Sequence, residues 1–214
     1  MQLFCSILSR RMLALILCAV LIYVNAFTSV KVFAKVCTNQ PAFRCTANKQ
    51  AEADQAHNND LAITAKAAVL IDNASGRILY AKNKDKKLIP ASITKIMTLL
   101  LIFESIEQGK CKLEDKVTVS EYAASMGGSQ VFLEPGETQD VNTMIKCISI
   151  ASANDAAVAM AEHLAGSEQS FVKRMNKKAK ALGMKHTHFK NCNGLDDSIE
   201  SGHYSSAYDV ALMS

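Results

Sequence analysis

The sequence has no tryptophan, three prolines in 214 residues, and aromatic side chains at only 6%. Such a chain offers few rings for stacking on bases. The formal net charge is +4, but Arg10, Arg11 and Lys31 lie in the first 34 residues with no acidic residue among them. The remainder is close to neutral, so no basic field points to nucleic acid. Cys-x-x-Cys is absent, which excludes the common zinc and redox spacings. Seven cysteines are present, and Cys5 and Cys18 fall within the first 34 residues. The five that follow are an odd number, which argues against a full disulfide framework. Cys37 and Cys45 could close a short loop, while Cys147 reads as a small buried hydrophobe in an apolar helical run.

What is there begins with an export signal. Arg10 and Arg11 precede a 13-residue apolar run, Met12 to Val24. That is short for a membrane span but suits a signal-peptide core. Small-residue cleavage sites follow at Val24-Asn25-Ala26 and Val32-Phe33-Ala34. Residues 1–34 are therefore expected to be a signal peptide, with an uncleaved anchor over Met12 to Val30 as the alternative. Residues 35–62 read as a polar tether, low in apolar side chains. Hydrophobic content of 49% and charged content of 21% suit a globular domain over 63–214.

Within that domain, Ala67 to Asp72 and Arg77 to Ala81 predict two strands, joined by Asn73-Ala74-Ser75-Gly76 as a hairpin turn. A helix is expected from Ser92 to about Gln108, ended by Gly109. Val117 to Val119 reads as a short extended segment, and Ser125 to Glu137 as loop. Helical periodicity covers Asp140 to Ile150, Ala156 to Leu164 and Glu168 to Leu182. Ser206-Ala207-Tyr208-Asp209 has the form of a capping box opening a last helix. Helix dominates, with a β-hairpin at the front.

The chemistry centres on Pro90-Ala91-Ser92-Ile93-Thr94-Lys95. From Ala91 to Phe103 the only charged side chain is Lys95. Ser92 and Lys95, three apart, share one face of a helix. Burial favours the neutral amine, and a neutral amine within reach of a hydroxyl can make serine a nucleophile. The same pattern also fits a helix cap with a snorkelling lysine. It recurs as Ser170-Phe171-Val172-Lys173 beside Arg174, Lys177 and Lys178, where it reads as a solvated face. Ser152-Ala153-Asn154 is the only Ser-x-Asn in the chain. Ser-x-x-Lys and Ser-x-Asn occur together in penicillin-interacting serine enzymes.

Five segments stand in order: the Ser92 hexapeptide, Met126 to Glu137, Ile150 to Ala156, Asn193-Gly194-Leu195-Asp196, and Ser205 to Asp209. Together they resemble the serine-type D-Ala-D-Ala carboxypeptidases, the low-molecular-mass penicillin-binding proteins, particularly the sporulation-associated type of Gram-positive bacteria. The resemblance covers about Ala67 to Ser214. It implies an α/β (α+β) two-subdomain fold of the β-lactamase/transpeptidase kind, helix-rich and here incomplete. It implies Ser92 as nucleophile, Lys95 as its base, Ser152 as proton relay and Asn154 as a holder of substrate backbone. The implied substrate is the D-Ala-D-Ala end of a peptidoglycan stem peptide, with β-lactams as covalent inhibitors. No cofactor, metal or nucleic acid is implied, and the implied location is outside the cell, at the membrane periphery.

Two departures accompany the resemblance. Ala153 stands where glycine is common in the family, and the 214 residues contain no Lys-Thr-Gly. In the family that strand binds the terminal carboxylate and gives one of two oxyanion N–H groups. The domain is thus expected to lack its C-terminal strands, and the chain to be inactive as it stands. Alternatives remain: a class A-like β-lactamase using Glu162, Glu168 or Glu200, a zinc peptidase using His186, His188 and His203, and a wall-peptide-binding protein without catalysis.

Overall fold

The computed structural model describes residues 62–195 and 201–214. The expected signal peptide with its cleavage sites, the expected tether up to residue 61, Cys37, Cys45, Asp196 and Glu200 lie outside the described residues.

The hairpin forms as its turn chemistry dictates. Strands β1 (Ala68–Ile71) and β2 (Ile78–Lys82) pair antiparallel, with Ala68 opposite Lys82 and Leu70 opposite Tyr80. Asp72 closes the turn: its carbonyl accepts from Gly76 N–H at 2.8 Å, and its carboxylate accepts from Ser75 N–H at 3.0 Å. Among the described residues the sheet has these two strands, and Leu70 and Leu79 on it are exposed.

A single 3₁₀ turn, Ala91–Ile93, leads into α1 (Thr94–Glu107). Ser92 therefore belongs to the 3₁₀ turn and is not a cap; no side chain caps either start. Gly109 follows α1 in the left-handed region, φ 67°. Helix α1 buries Thr94, Lys95, Met97, Thr98 and Ile102, whereas Phe103 is half exposed. Its apolar circumference is thus only partly covered.

Strands β3 (Lys116–Thr118) and β4 (Thr138–Asp140) pair antiparallel around Val117 and Gln139. The short helix α2 (Glu121–Ala124) lies between them, capped by Ser120 Oγ, which accepts from Ala123 N–H. Neither β4 nor α2 is expected from the sequence. Each is a single short element, below the length at which periodicity carries a signal.

Helix α3 (Val141–Ile150) starts at the Asp140 cap and α5 (Glu168–Ala181) at the Ser167 cap. Helix α6 (Ala207–Met213) starts at Ser206, whose hydroxyl accepts from Asp209 N–H. Between α3 and α5 runs α4 (Asn154–Ala165), buried without interruption from Asn154 to Ala161. Its alanines at 156, 157, 159 and 161 let neighbouring helices approach closely, since interaxial distance follows side-chain size. Met97, Met144, Ile148, Phe171 and Met175 complete the core around it. Helix α4 starts two residues earlier than its apolar run predicts, so Asn154 and Asp155 lie in its first turn. Cys147 is half-buried and free, not the fully buried hydrophobe expected; Cys111 and Cys192 are the buried free thiols among the described residues.

Candidate active site

Three elements converge on the Lys95 ammonium. Its Nζ lies 3.2 Å from Ser92 Oγ, 2.7 Å from Asn154 Oδ1 and 2.7 Å from the Asn193 carbonyl oxygen. Lys95 is 4% exposed, while Ser92, one helical turn earlier, is exposed. The base is enclosed and the hydroxyl is open to an incoming substrate. Burial lowers the Lys95 pKa to about 8. Cys192 carries no opposing charge, because complete burial and the neighbouring Glu168 hold its thiol well above the ordinary range.

The three acceptors match the three protons of an ammonium. Asn154 Oδ1 and the Asn193 carbonyl can only accept, so each holds one N–H whatever the charge. The third position faces Ser92, whose hydroxyl can both donate and accept. On losing a proton, Lys95 turns a lone pair toward Ser92 without breaking its other two bonds. The geometry thus reserves the basic lone pair for the serine, which is what activation of a hydroxyl requires.

The loop carrying Asn193 is held by buried polar contacts. Thr98 Oγ1 donates to the Cys192 carbonyl at 2.5 Å. Cys192 N–H donates to Glu168 Oε1 at 3.0 Å, and Tyr122 O–H donates to Glu168 Oε2 at 2.7 Å. That bond to a carboxylate raises the Tyr122 pKa above the usual phenol range. Gly194 passes so close to the Ser92 turn that a Cβ there would lie 1.8 Å from the Ala91 carbonyl oxygen. Only glycine fits, at a φ of 83°. Ala91 itself is left-handed, φ 46°, a conformation that non-glycine residues rarely take. The loop and the nucleophile turn are pressed together there.

The opposite side is built by α4. Asn154 donates from its backbone N–H to the Ser129 carbonyl at 2.7 Å and from Nδ2 to the Gly127 carbonyl at 2.8 Å. The fully buried Asp155 accepts from the N–H groups of Val131, Leu133 and Ala156. These bonds fasten the 127–133 loop beside Lys95. Ser152 sits at the break between α3 and α4, half-buried, with φ 56°.

The structure therefore brings Ser92, Lys95 and Asn154 together in one hydrogen-bonded group, and Ser152 is not among the Lys95 partners. Asn193, Gly194 and Thr98 join the site without having been assigned roles from the sequence. The Asn-Gly turn dipeptide was the available signal for the first two. The second Ser-x-x-Lys does not form a comparable pair: Ser170 Oγ bonds Ser167 Oγ at 2.9 Å, and Lys173 is exposed. The three histidines proposed for zinc are dispersed. His188 Nδ1 contacts the Gly202 carbonyl, His186 faces Asp85, and His203 Nε2 contacts Thr94 Oγ1.

A serine hydroxyl beside a desolvated lysine has the chemistry of a serine acyltransferase or peptidase. Comparison with known proteins makes the class specific. Residues 50–214 match the model of the family described as D-alanyl-D-alanine carboxypeptidase, Peptidase_S11. The chain belongs to that family. It is similar to D-alanyl-D-alanine carboxypeptidase DacF of Bacillus subtilis (60% identical over 163 residues, 76% of this chain and 41% of the relative). It is also similar to DacA of Escherichia coli K12 (43% over 157 residues, 71% and 38%). Among solved structures, DacD of Francisella tularensis superposes with a TM-score of 0.68 at 38% identity, covering 71% of this chain and 36% of that one. Penicillin-binding protein D2 of Listeria monocytogenes in its ampicillin-bound form gives 0.63 at 29% identity, covering 72% and 61%. The α+β fold is thus that of the penicillin-binding proteins, and the chain spans about two fifths of the length of the curated relatives it matches.

Proposed function

We propose that this chain supplies the nucleophile half of a penicillin-sensitive D-Ala-D-Ala carboxypeptidase acting on peptidoglycan stem peptides. The observation that carries the reading is that Asn154 Oδ1 and the Asn193 carbonyl take two positions on Lys95 Nζ, which leaves the third for Ser92. Neutral Lys95 takes the Ser92 proton as Oγ attacks the carbonyl of the penultimate D-alanine. The tetrahedral intermediate collapses, the C–N bond breaks, and the departing amine of D-alanine takes up a proton, with Ser152 as the proposed relay. Water then attacks the acyl-serine ester, Lys95 accepts its proton, and the peptide leaves with a new carboxylate. Asn154, fixed by Gly127 and Lys95, is the proposed wall against which the stem peptide lies. A β-lactam follows the first half of this path and stops at the ester. We place the protein outside the cell, at the outer face of the cytoplasmic membrane, on the strength of the apolar segment after Arg10 and Arg11. Among the described residues, no helix is long and apolar enough to cross a membrane. The resemblance supports a sporulation-type role.

Two glutamates proposed for β-lactamase deacylation are engaged elsewhere. Glu162 accepts from Ser120 Oγ at 2.7 Å, and Glu168 is taken up by Tyr122 and Cys192. This favours the carboxypeptidase reading.

The pH profile of acylation tests it. With a Lys95 pKa of about 8, about a tenth of the amine is neutral at pH 7 and about nine tenths at pH 9. Only the neutral form accepts a proton. In a chain completed through the Lys-Thr-Gly strand, the second-order rate of acylation by a penicillin should therefore rise about tenfold from pH 7 to pH 9 and then level off. A flat profile across that range would contradict Lys95 as the base.

A further inference from the structure

We infer that the chain has a zinc site, formed by Cys111, Asp115 and His163, in addition to the Ser92 centre. The sulfur, a carboxylate oxygen and an imidazole nitrogen all lie within 4.8 Å of one another. Cys111 and Asp115 stand in the link between α1 and β3, and His163 is in the last turn of α4. None of the three takes part in the hydrogen bonds around Lys95. Sequence spacing gives no sign of this site, because its histidine comes from a separate helix.

The link is already shaped to present its two ligands. Asp115 Oδ2 accepts from Lys112 N–H at 2.7 Å, and Asp115 N–H donates to the Lys112 carbonyl at 3.2 Å. The Leu113 and Asp115 carbonyls accept from Asn142 and Val141, the first residues of α3. Asp115 Oδ1 is left for a ligand. The Cys111 thiol makes one weak contact, 3.7 Å to the Lys112 carbonyl, which coordination would replace. Cys111 is buried, Asp115 half-buried and His163 exposed, so the cluster opens to solvent on the histidine side.

The donor set selects the ion. One sulfur, one nitrogen and one oxygen suit borderline-soft Zn²⁺; Ca²⁺ and Mg²⁺ require oxygen shells. Zinc–ligand lengths of roughly 2.0–2.3 Å put tetrahedral ligand atoms about 3.3–3.6 Å apart. Closing from 4.8 Å is within reach of side-chain torsions at Asp115 and His163, neither of which is fully buried. On binding, Cys111 releases its thiol proton to solvent, and thiolate plus carboxylate neutralise the ion. Water takes the fourth position. The ion would tie the α1–β3 link to α4, the helix whose first turn carries Asn154.

The test uses Co²⁺ as a spectroscopic stand-in for Zn²⁺, on the reduced, chelator-stripped 214-residue chain. One equivalent of Co²⁺ should produce thiolate-to-cobalt charge-transfer absorption, displaced by Zn²⁺. Cys111→Ser should abolish that band. His163→Ala changes an exposed side chain and should fold normally; it should weaken Co²⁺ binding at least about tenfold. Zn²⁺ should raise the melting temperature of the unaltered chain and not that of H163A. Absence of the band in the unaltered chain would overturn the site. So would a band unchanged in C111S, which would put the metal on other cysteines, or equal affinity in H163A.

Discussion

In the chain extended through a Lys-Thr-Gly strand, Lys95→Arg should lose acylation by a fluorescent penicillin by about 10²–10⁴-fold, the range a positioned general base contributes. A guanidinium stays protonated at every accessible pH and offers no lone pair. It also cannot reproduce the site. Three acceptors converge on one nitrogen at 2.7, 2.7 and 3.2 Å, and a planar fork places its donors elsewhere. Lys95→Met separates charge from basicity: it keeps the apolar stem, removes the amine and should be as inactive as the arginine variant. Both variants are compared by melting temperature and circular dichroism, so that loss of fold is distinguished from loss of base. Retention of more than a tenth of the acylation rate in either folded variant would remove Lys95 from the mechanism.

The second large effect concerns turnover. The 214-residue chain should release no measurable D-alanine from a diacylated Lys-D-Ala-D-Ala peptide. The same chain extended through the Lys-Thr-Gly strand that the family resemblance calls for should do so. Loss of one oxyanion donor costs about 10²–10³ in rate in a measured serine enzyme, and the extension would also add a cation for the terminal carboxylate. Leu70 and Leu79 on the hairpin are exposed, as are Ile89 and Ile93 before α1. Ile89 and Ile93 line a groove of about 360 Å³ with Val69, Leu88, Pro90 and Val210. Equal activity of the two chains would show that these 214 residues already contain the whole site.

Local signals carried much of this structure. The hairpin followed from Asn73 to Gly76, α3 and α5 from their helical periodicity, and α6 from the capping-box pattern at Ser206. Ser92 and Lys95 were legible as a pair because Lys95 is the only charged side chain from Ala91 to Phe103. The rest of the site is nonlocal. Asn193 meets Lys95 across 98 positions, and what it contributes is a backbone carbonyl, which every residue type has. Gly194 is required by the approach of Ala91, a contact that no local pattern encodes. Asn154 was expected to face substrate; its Oδ1 is bound to Lys95 and its Nδ2 to Gly127, roles that appear only when α1 and α4 pack. The hydrophobicity of the run from Ala91 to Phe103 overstated its burial, because Phe103 and Ile93 remain exposed.

The central claim is that Ser92 is the acylated residue. The most direct measurement is peptide mapping by mass spectrometry after penicillin has reacted with the chain extended through the Lys-Thr-Gly strand. The penicilloyl adduct should lie on the peptide containing Ser92 and disappear in Ser92→Ala. Ser170→Ala, which alters the other Ser-x-x-Lys, should leave it unchanged. An adduct on any other residue, or labelling that survives Ser92→Ala, would contradict the account.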